Sequence, residues 1–245
     1  RLRSAKLDSL AEFAAGAGHE LNNPLAVIVG RAQLLLARTS DPAAMRSLRA
    51  ILSQAQRAHR ILRDLIYVAR PPAPRTRPCV PDEIWRASIR DSRPEAEERG
   101  ILLAWDGPDQ NRRVWMDPDG LRHLADTLIR NAIEATPRGG AVRVSTSGNA
   151  IALRWSVQDT GQGLSPADAT HLFDLFYCGR QAGRGLGLGL PRVARFVELA
   201  GGEIHWQSSP GQGTTFVVKL PPSEVPQPPP PLSGPENQPI RRATA

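Results

Sequence analysis

The sequence predicts two folded units in tandem: an all-α helical hairpin, then an α+β sandwich with helices on one face of a mixed sheet. Three observations predict it. Residues 1–70 place apolar side chains in alternating steps of three and four, with no strand-like alternation. Residues 71–78 (PPAPRTRP) read as an extended, stiff linker. Residues 79–220 mix strand-like and helical patterns, punctuated by turn residues. The Pro-rich segment beyond, 221–245, lacks the apolar content for a core and is expected to be a disordered tail.

In the first unit, Leu7, Leu10, Ala14, Ala17, Leu21, Pro24, Ile28, Arg31 and Leu35 trace one heptad seam. Leu48, Ile51, Ala55, Ala58, Leu62, Leu65 and Ala69 trace a second. Thr39-Ser40-Asp41-Pro42 breaks the pattern, with Asp41 suited to an N-cap and Pro42 to the first helical position. Two narrow apolar stripes make a thin core, so two hairpins side by side, a four-helix bundle in a homodimer, are expected. In this register His19 lies on the outer face, beside Glu20 and one turn before Asn23, where Pro24 loosens the helix. An imidazole there is placed to receive a group from a docking partner; it is equally an ordinary surface histidine, as His59 and His123 look to be.

In the second unit, strands are expected at 101–105 and 113–116, then a helix over 118–136 capped by Asp117 with Pro118 at its first position. Strands 141–147 and 151–158 form a hairpin across Gly148-Asn149. A helix over 187–200 and strands 203–208 and 214–219, joined by Ser209-Pro210-Gly211-Gln212-Gly213, complete the sandwich.

Composition narrows the function. The 245 residues are 40% hydrophobic, which supports a real core, and carry a formal charge of +7. The first 70 residues hold 11 basic and 5 acidic side chains. Without interleaved aromatics this is not a single-strand nucleic-acid binder, and solvated helix faces or an acidic protein partner explain it better. Two cysteines, Cys79 and Cys178, exclude a disulfide scaffold and suggest a reducing compartment. No apolar run approaches the ~18 residues that cross a bilayer, and Arg1, Arg3, Lys6, Asp8 and Glu12 argue against a signal peptide. A chain opening on Arg reads as a segment of a longer protein.

Two glycine constellations carry the chemistry. Asp159-Thr160-Gly161-Gln162-Gly163 follows a strand directly, where glycines let the backbone turn beside a flat ligand and Asp159 can accept from an exocyclic amine. Gly183-Arg184-Gly185-Leu186-Gly187-Leu188-Gly189 opens a helix whose free N–H groups suit a phosphate chain. That run follows a helix-like stretch (168–176) rather than a strand, so it is not a dinucleotide fingerprint, and it lacks the Gly-Lys-Ser/Thr of a P-loop. The segment between the two constellations reads as a lid, with Arg180 and Arg184 either reaching phosphates or simply solvated. Asn131, among Leu124, Leu128, Ala132 and Ala135, offers an oxygen suited to Mg²⁺ or is merely half-exposed.

Taken in order, these motifs resemble those of sensor histidine kinases. His19-Glu20-Leu21-Asn22-Asn23-Pro24-Leu25 resembles the H-box, and Leu124 to Thr136, with Asn131-Ala132 and Ala135-Thr136, the N-box. Asp159-x-Gly161-x-Gly163 resembles the G1 box, Phe173 and Phe176 the F-box, Gly183-x-Gly185-Leu186-Gly187-Leu188 the G2 box, and Gly211-x-Gly213-Thr214 the closing glycine turn. The resemblance covers about residues 1–220. It implies a dimerisation and phosphotransfer domain followed by an ATP-binding domain of the gyrase/Hsp90/histidine-kinase/MutL type.

By that resemblance His19, Glu20 and Asn23 are catalytic: His19 takes the γ-phosphoryl group of ATP, Glu20 takes its proton, and Asn23 positions water for dephosphorylating a response-regulator receiver domain. Asp159, Gly161, Gly163, Phe176, Arg184, Gly185, Leu186, Gly187, Leu188 and Thr214 surround the nucleotide, and Asn131 holds Mg²⁺. The implied partners are a second copy and a receiver; neither nucleic acid nor membrane contact by this segment is expected. The location is cytoplasmic, with an upstream sensor region able to tether the protein to a membrane. The sequence departs from the pattern at Thr127, where the family often has a second Asn, at Glu134, where a basic residue or His is frequent, and in its short lid. A catalytically weak nucleotide-binding scaffold that docks a receiver is the alternative.

Overall fold

The computed structural model describes residues 20–108, 112–148, 152–177 and 187–221. His19, the lid residues 178–186 with Arg180, Arg184, Gly185 and Leu186, and the tail from 222 onward lie outside the described residues.

Helix α1 is described over residues 20–36, and α2 spans Pro42–Ala69. The break between them is the expected one. Both Asp41 carboxylate oxygens accept from the orphan amides of Ala43 and Ala44 (3.1 and 3.0 Å), and Pro42 fills the position that needs no N–H. Of the α2 seam, Ala55 and Leu62 are buried and Ile51 is exposed.

On α1 the seam differs from expectation. Leu21, Ile28 and Leu35 are exposed at 44–57%. The residues turned inward are Asn22, Leu25, Val29, Ala32 and Leu36, of which Ala32 is fully buried. Both rows have heptad spacing, so α1 carries two apolar seams, and periodicity alone could not say which one faces α2.

The sandwich is a five-stranded sheet of order β2-β4-β5-β7-β6, with β2 (Leu102–Asp106), β4 (Ala141–Gly148), β5 (Leu153–Asp159), β6 (Glu203–Ser208) and β7 (Thr214–Leu220). β2 and β4 are parallel and every other pairing is antiparallel. Alternate residues of three neighbouring strands line up on one face: Val144, Val157 and Phe216 in one row, Thr146, Trp155 and Val218 in the next. All six are buried, under the helices α3 (Pro81–Glu98), α4 (Pro118–Ala135) and α6 (Gly189–Leu199).

Helix α4 begins where the sequence places it, with the Asp117 carboxylate accepting from Asp119 and Gly120 amides. Its buried face is Leu121, Leu124, Ala125, Leu128, Ile129, Ala132 and Ile133, a regular three-and-four stripe.

Three elements were not expected. Helix α3 escapes hydropathy reading because its buried face includes Asp82 and Ser88. Asp82 accepts from Trp155 Nε1 (2.9 Å) and Thr146 Oγ1 (3.2 Å), and Trp85 stacks on Trp155 at 5.9 Å, so polar contacts help pin this helix to the sheet. Strand β1 (Arg77–Cys79) pairs antiparallel with β3 (Val114–Met116), so ordered pairing begins two residues inside the stretch read as linker. The stretch 168–176 is not one helix: α5 (Pro166–Thr170) has five residues, and turns follow.

Candidate functional site

A cavity of about 630 Å³ opens where β5, α4, the start of α6 and α2 converge. Asp159, the last residue of β5, lies on its wall and is only 4% exposed. Its Oδ1 accepts from the amides of Gly161 (2.8 Å) and Thr214 (3.2 Å), which fix the carboxylate in one orientation. Gly213 makes that approach possible: its φ is +81°, and a Cβ there would stand 1.9 Å from the Asp159 carbonyl oxygen. Ser208 ties the turn together, bonding Thr214 Oγ1 and Gly213 O at 3.0 Å each.

Along α4, His123, Thr127 and Asn131 succeed one another at one-turn spacing, and all three line the cavity. Opposite them lie Gly187, Leu188 and Gly189 at the start of α6, whose first amides have no partner within the helix. Gln162, Gly163, Leu164, Leu172, Tyr177 and Thr214 close the remaining wall.

Of the residues singled out in the sequence, Asp159, Gly163, Asn131, Gly187, Leu188 and Thr214 therefore meet at one cavity. Gly161 stands behind Asp159 as its backbone donor. Glu20 and Asn23 are exposed on α1, and neither lines the cavity. Phe176 does not line it either: its side chain is 51% exposed, while Leu172 and Tyr177 face inward. Phe176 has φ +64°, and its amide donates to Gly187 O (3.2 Å), joining the two ends of the lid segment. Backbone geometry there, rather than ring contact, is its visible role.

His123 is not the surface histidine it looked to be. Its ring is 22% exposed, with Nε2 3.4 Å from Thr127 Oγ1 and 3.9 Å from Asp64. Burial, then the charges of Arg192, Arg130 and Arg63, push its pKa down to about 3, so the ring is neutral at physiological pH. Thr127 is fully buried, its hydroxyl already beside that ring.

Sequence reasoning missed the wall supplied by α2: Arg57, Arg60, Arg63 and Asp64. Asp64 pairs with Arg192 of α6, both only 15% exposed, and the Arg192 guanidinium lies 4.5 Å from the Tyr67 ring centroid. Nothing in periodicity marks these positions; the partner of Asp64, for one, lies 128 residues away.

Comparison with known proteins agrees with this architecture. The family described as "His Kinase A (phospho-acceptor) domain" matches residues 9–74, and "Histidine kinase-, DNA gyrase B-, and HSP90-like ATPase" matches residues 116–224. The chain belongs to the sensor histidine kinases, with a phospho-acceptor domain joined to an ATPase-type domain. It is 30% identical over 222 residues to the sensor histidine kinase ZraS of Klebsiella oxytoca, covering 89% of this chain and 47% of that one. It is 34% identical over 221 residues to the histidine protein kinase DivJ of Caulobacter vibrioides, covering 86% and 37%. The chain thus spans less than half the length of these relatives. Among solved structures it is similar to full-length ShkA in complex with AMPPNP, with a TM-score of 0.73, 26% identity, and coverage of 87% of this chain and 46% of that one. The catalytic domain of the histidine kinase ThkA shares the sandwich fold, with a TM-score of 0.54 and 21% identity over 60% of this chain and 97% of that one.

Proposed function

We propose that this chain is the kinase core of a two-component sensor: it phosphorylates His19 from ATP and passes the phosphoryl group to an aspartate of a response-regulator receiver domain. The observation that carries the reading is Asp159. A buried carboxylate, oriented by two backbone amides and opening on a cavity of about 630 Å³, suits the exocyclic amine of adenine. The complex of ShkA with AMPPNP supports a nucleotide as this chain's ligand.

The chemistry follows from the residues present. The neutral His19 imidazole attacks the γ-phosphorus through Nε2 as the bond to the ADP oxygen breaks, and Glu20 takes the ring proton. The protein's contribution is positioning and charge neutralisation. Among the described residues no group of three His, Cys, Asp or Glu could hold a metal by itself. The cavity suits Mg²⁺ carried on the phosphates, where the Asn131 amide oxygen would be the protein ligand. When bound, the ion would neutralise phosphate charge.

The exposed row Leu21, Ile28 and Leu35, with Val27, Leu34 and Ile51 beside it, is the apolar face a second copy covers to complete a four-helix bundle. Asn23, exposed on α1, is the residue we assign to positioning water when the receiver is dephosphorylated.

The test is incubation with γ-labelled ATP and Mg²⁺. Acid-labile, alkali-stable label on the parent chain, absent from His19→Gln and from Asn131→Ala, supports the reading. Nucleotide binding without label supports the docking scaffold instead, and free phosphate without protein label an ATPase.

A further inference from the structure

The cavity does not end at the sandwich. From α2 it receives Arg57, Arg60 and Arg63, and from α4 it receives Arg130, the residue before Asn131. These guanidinium groups are close enough to disturb one another. Burial, then Arg130 and Arg63, lowers the Arg60 pKa, with only Asp64 acting the other way. Asp64 is already engaged by Arg192.

The other carboxylates of the lining, Asp126, Asp159, Asp168 and Glu134, are not paired with Arg60, Arg63 or Arg130. Asp126 is held by Arg122 Nε (2.8 and 3.0 Å), and Asp168 accepts from the Tyr177 hydroxyl (2.8 Å). Asp159 accepts from the Gly161 and Thr214 amides, and Glu134 completes the carboxylates of the lining. Among the described residues, Arg60, Arg63 and Arg130 form no ion pair with a carboxylate. Like charges gathered at one cavity wall repel, and the arrangement is favourable once an anion enters. Arginine is also the side chain whose planar fork matches phosphate oxygens. Solvation alone would explain Arg60 and Arg63, which are exposed on α2; it does not explain why partly buried Arg130 faces them across the same space.

We propose that the terminal phosphate of the nucleotide is received by Arg60 and Arg63 of α2 together with Arg130 of α4, so that the triphosphate site is completed across the two domains. This rests on the nucleotide reading above and adds a binding role for the phosphotransfer domain. A diphosphate, one phosphate shorter, leaves the α2 arginines unengaged. The triphosphate therefore favours the docked arrangement and the diphosphate does not.

The experiment is calorimetric titration of the full chain with AMPPNP and with ADP, both with Mg²⁺, for the parent, Arg60→Gln, Arg130→Gln and Arg60→Lys. In Arg60→Gln and Arg130→Gln, AMPPNP affinity is expected to fall about tenfold, as for loss of one charge-assisted hydrogen bond, while ADP affinity stays within about twofold. Arg60→Lys should recover part of the loss, because it restores the charge without the fork. Unchanged ADP affinity also shows that the fold and adenine site are intact. Equal losses for both nucleotides, or no loss for AMPPNP, overturn the proposal and leave the kinase reading standing. A parent chain that binds neither nucleotide overturns the reading beneath it.

Discussion

His123 offers the sharpest check on the packing of α2 against the sandwich. Its ring faces Asp64 and Arg63 from α2, Thr127 and Arg130 from α4, and Arg192 from α6. The native imidazole stays neutral down to about pH 3, whereas an unfolded histidine takes its proton near pH 6.5. Between those values the unfolded state binds more protons, so stability falls as pH falls, by up to about 1.4 kcal/mol per pH unit. From pH 7 to pH 5 this ring alone removes about 2 kcal/mol. His123→Gln keeps a donor and an acceptor near Thr127 but cannot charge, so it removes that loss. The assay is urea unfolding followed by tryptophan fluorescence, because all five tryptophans (Trp85, Trp105, Trp115, Trp155 and Trp206) lie in the sandwich. Carboxylates and the other histidines titrate in both proteins, so the difference between the two pH profiles isolates His123. Parallel profiles between pH 7 and pH 5 would refute the buried, neutral ring and the interdomain packing that buries it.

Gly213→Ala should cost about 2–4 kcal/mol in urea unfolding and weaken ADP binding at least about tenfold, because its Cβ would strike the Asp159 carbonyl at 1.9 Å. Gly211→Ala, at φ +78° but with open space around it, should cost only about 1 kcal/mol and leave ADP affinity intact; equal effects would contradict the role given to Gly213. Leu35→Asp, on the exposed α1 seam, should yield a monomer by sedimentation equilibrium with unchanged ADP affinity, and a persistent dimer would move the interface elsewhere.

What the sequence revealed depended on whether one physical signal dominated locally. α4 was legible because an Asp-Pro start and a regular apolar stripe agree. β6 and β7 were legible because alternation and the Pro210-Gly211 turn agree. α3 was not, since Asp82 and Ser88 occupy part of its buried face and their partners lie on a distant strand. α1 was legible as a helix but not in rotation, because two seams of equal spacing run along it and tertiary packing chooses between them. In the candidate site, Asp159, Gly163, Asn131 and Thr214 announced themselves through local motifs, and the cavity unites them. His123 and the α2 arginines acquire meaning only when the helical hairpin docks, a contact that hydropathy patterns do not encode. Phe176 was singled out by motif, and the structure adds its positive φ and the amide bond to Gly187 O.

The site combines a wall fixed within the sandwich with one supplied by the helical hairpin. The fixed wall is Asp159, held by backbone amides across a turn that tolerates no Cβ at Gly213. The hairpin's wall is α2, joined to α6 through the Asp64–Arg192 pair and the stacking of Arg192 on Tyr67. A link of this kind contributes little net stability, since desolvation offsets much of the Coulomb attraction of a buried pair. A ligand moves an equilibrium between docked and undocked domains only by binding the two arrangements unequally. A triphosphate that reaches the α2 arginines satisfies that condition. A tenfold preference corresponds to about 1.4 kcal/mol in favour of the docked arrangement. The histidine-bearing domain would then be drawn to the nucleotide when a transferable phosphate is present and released once only the diphosphate remains.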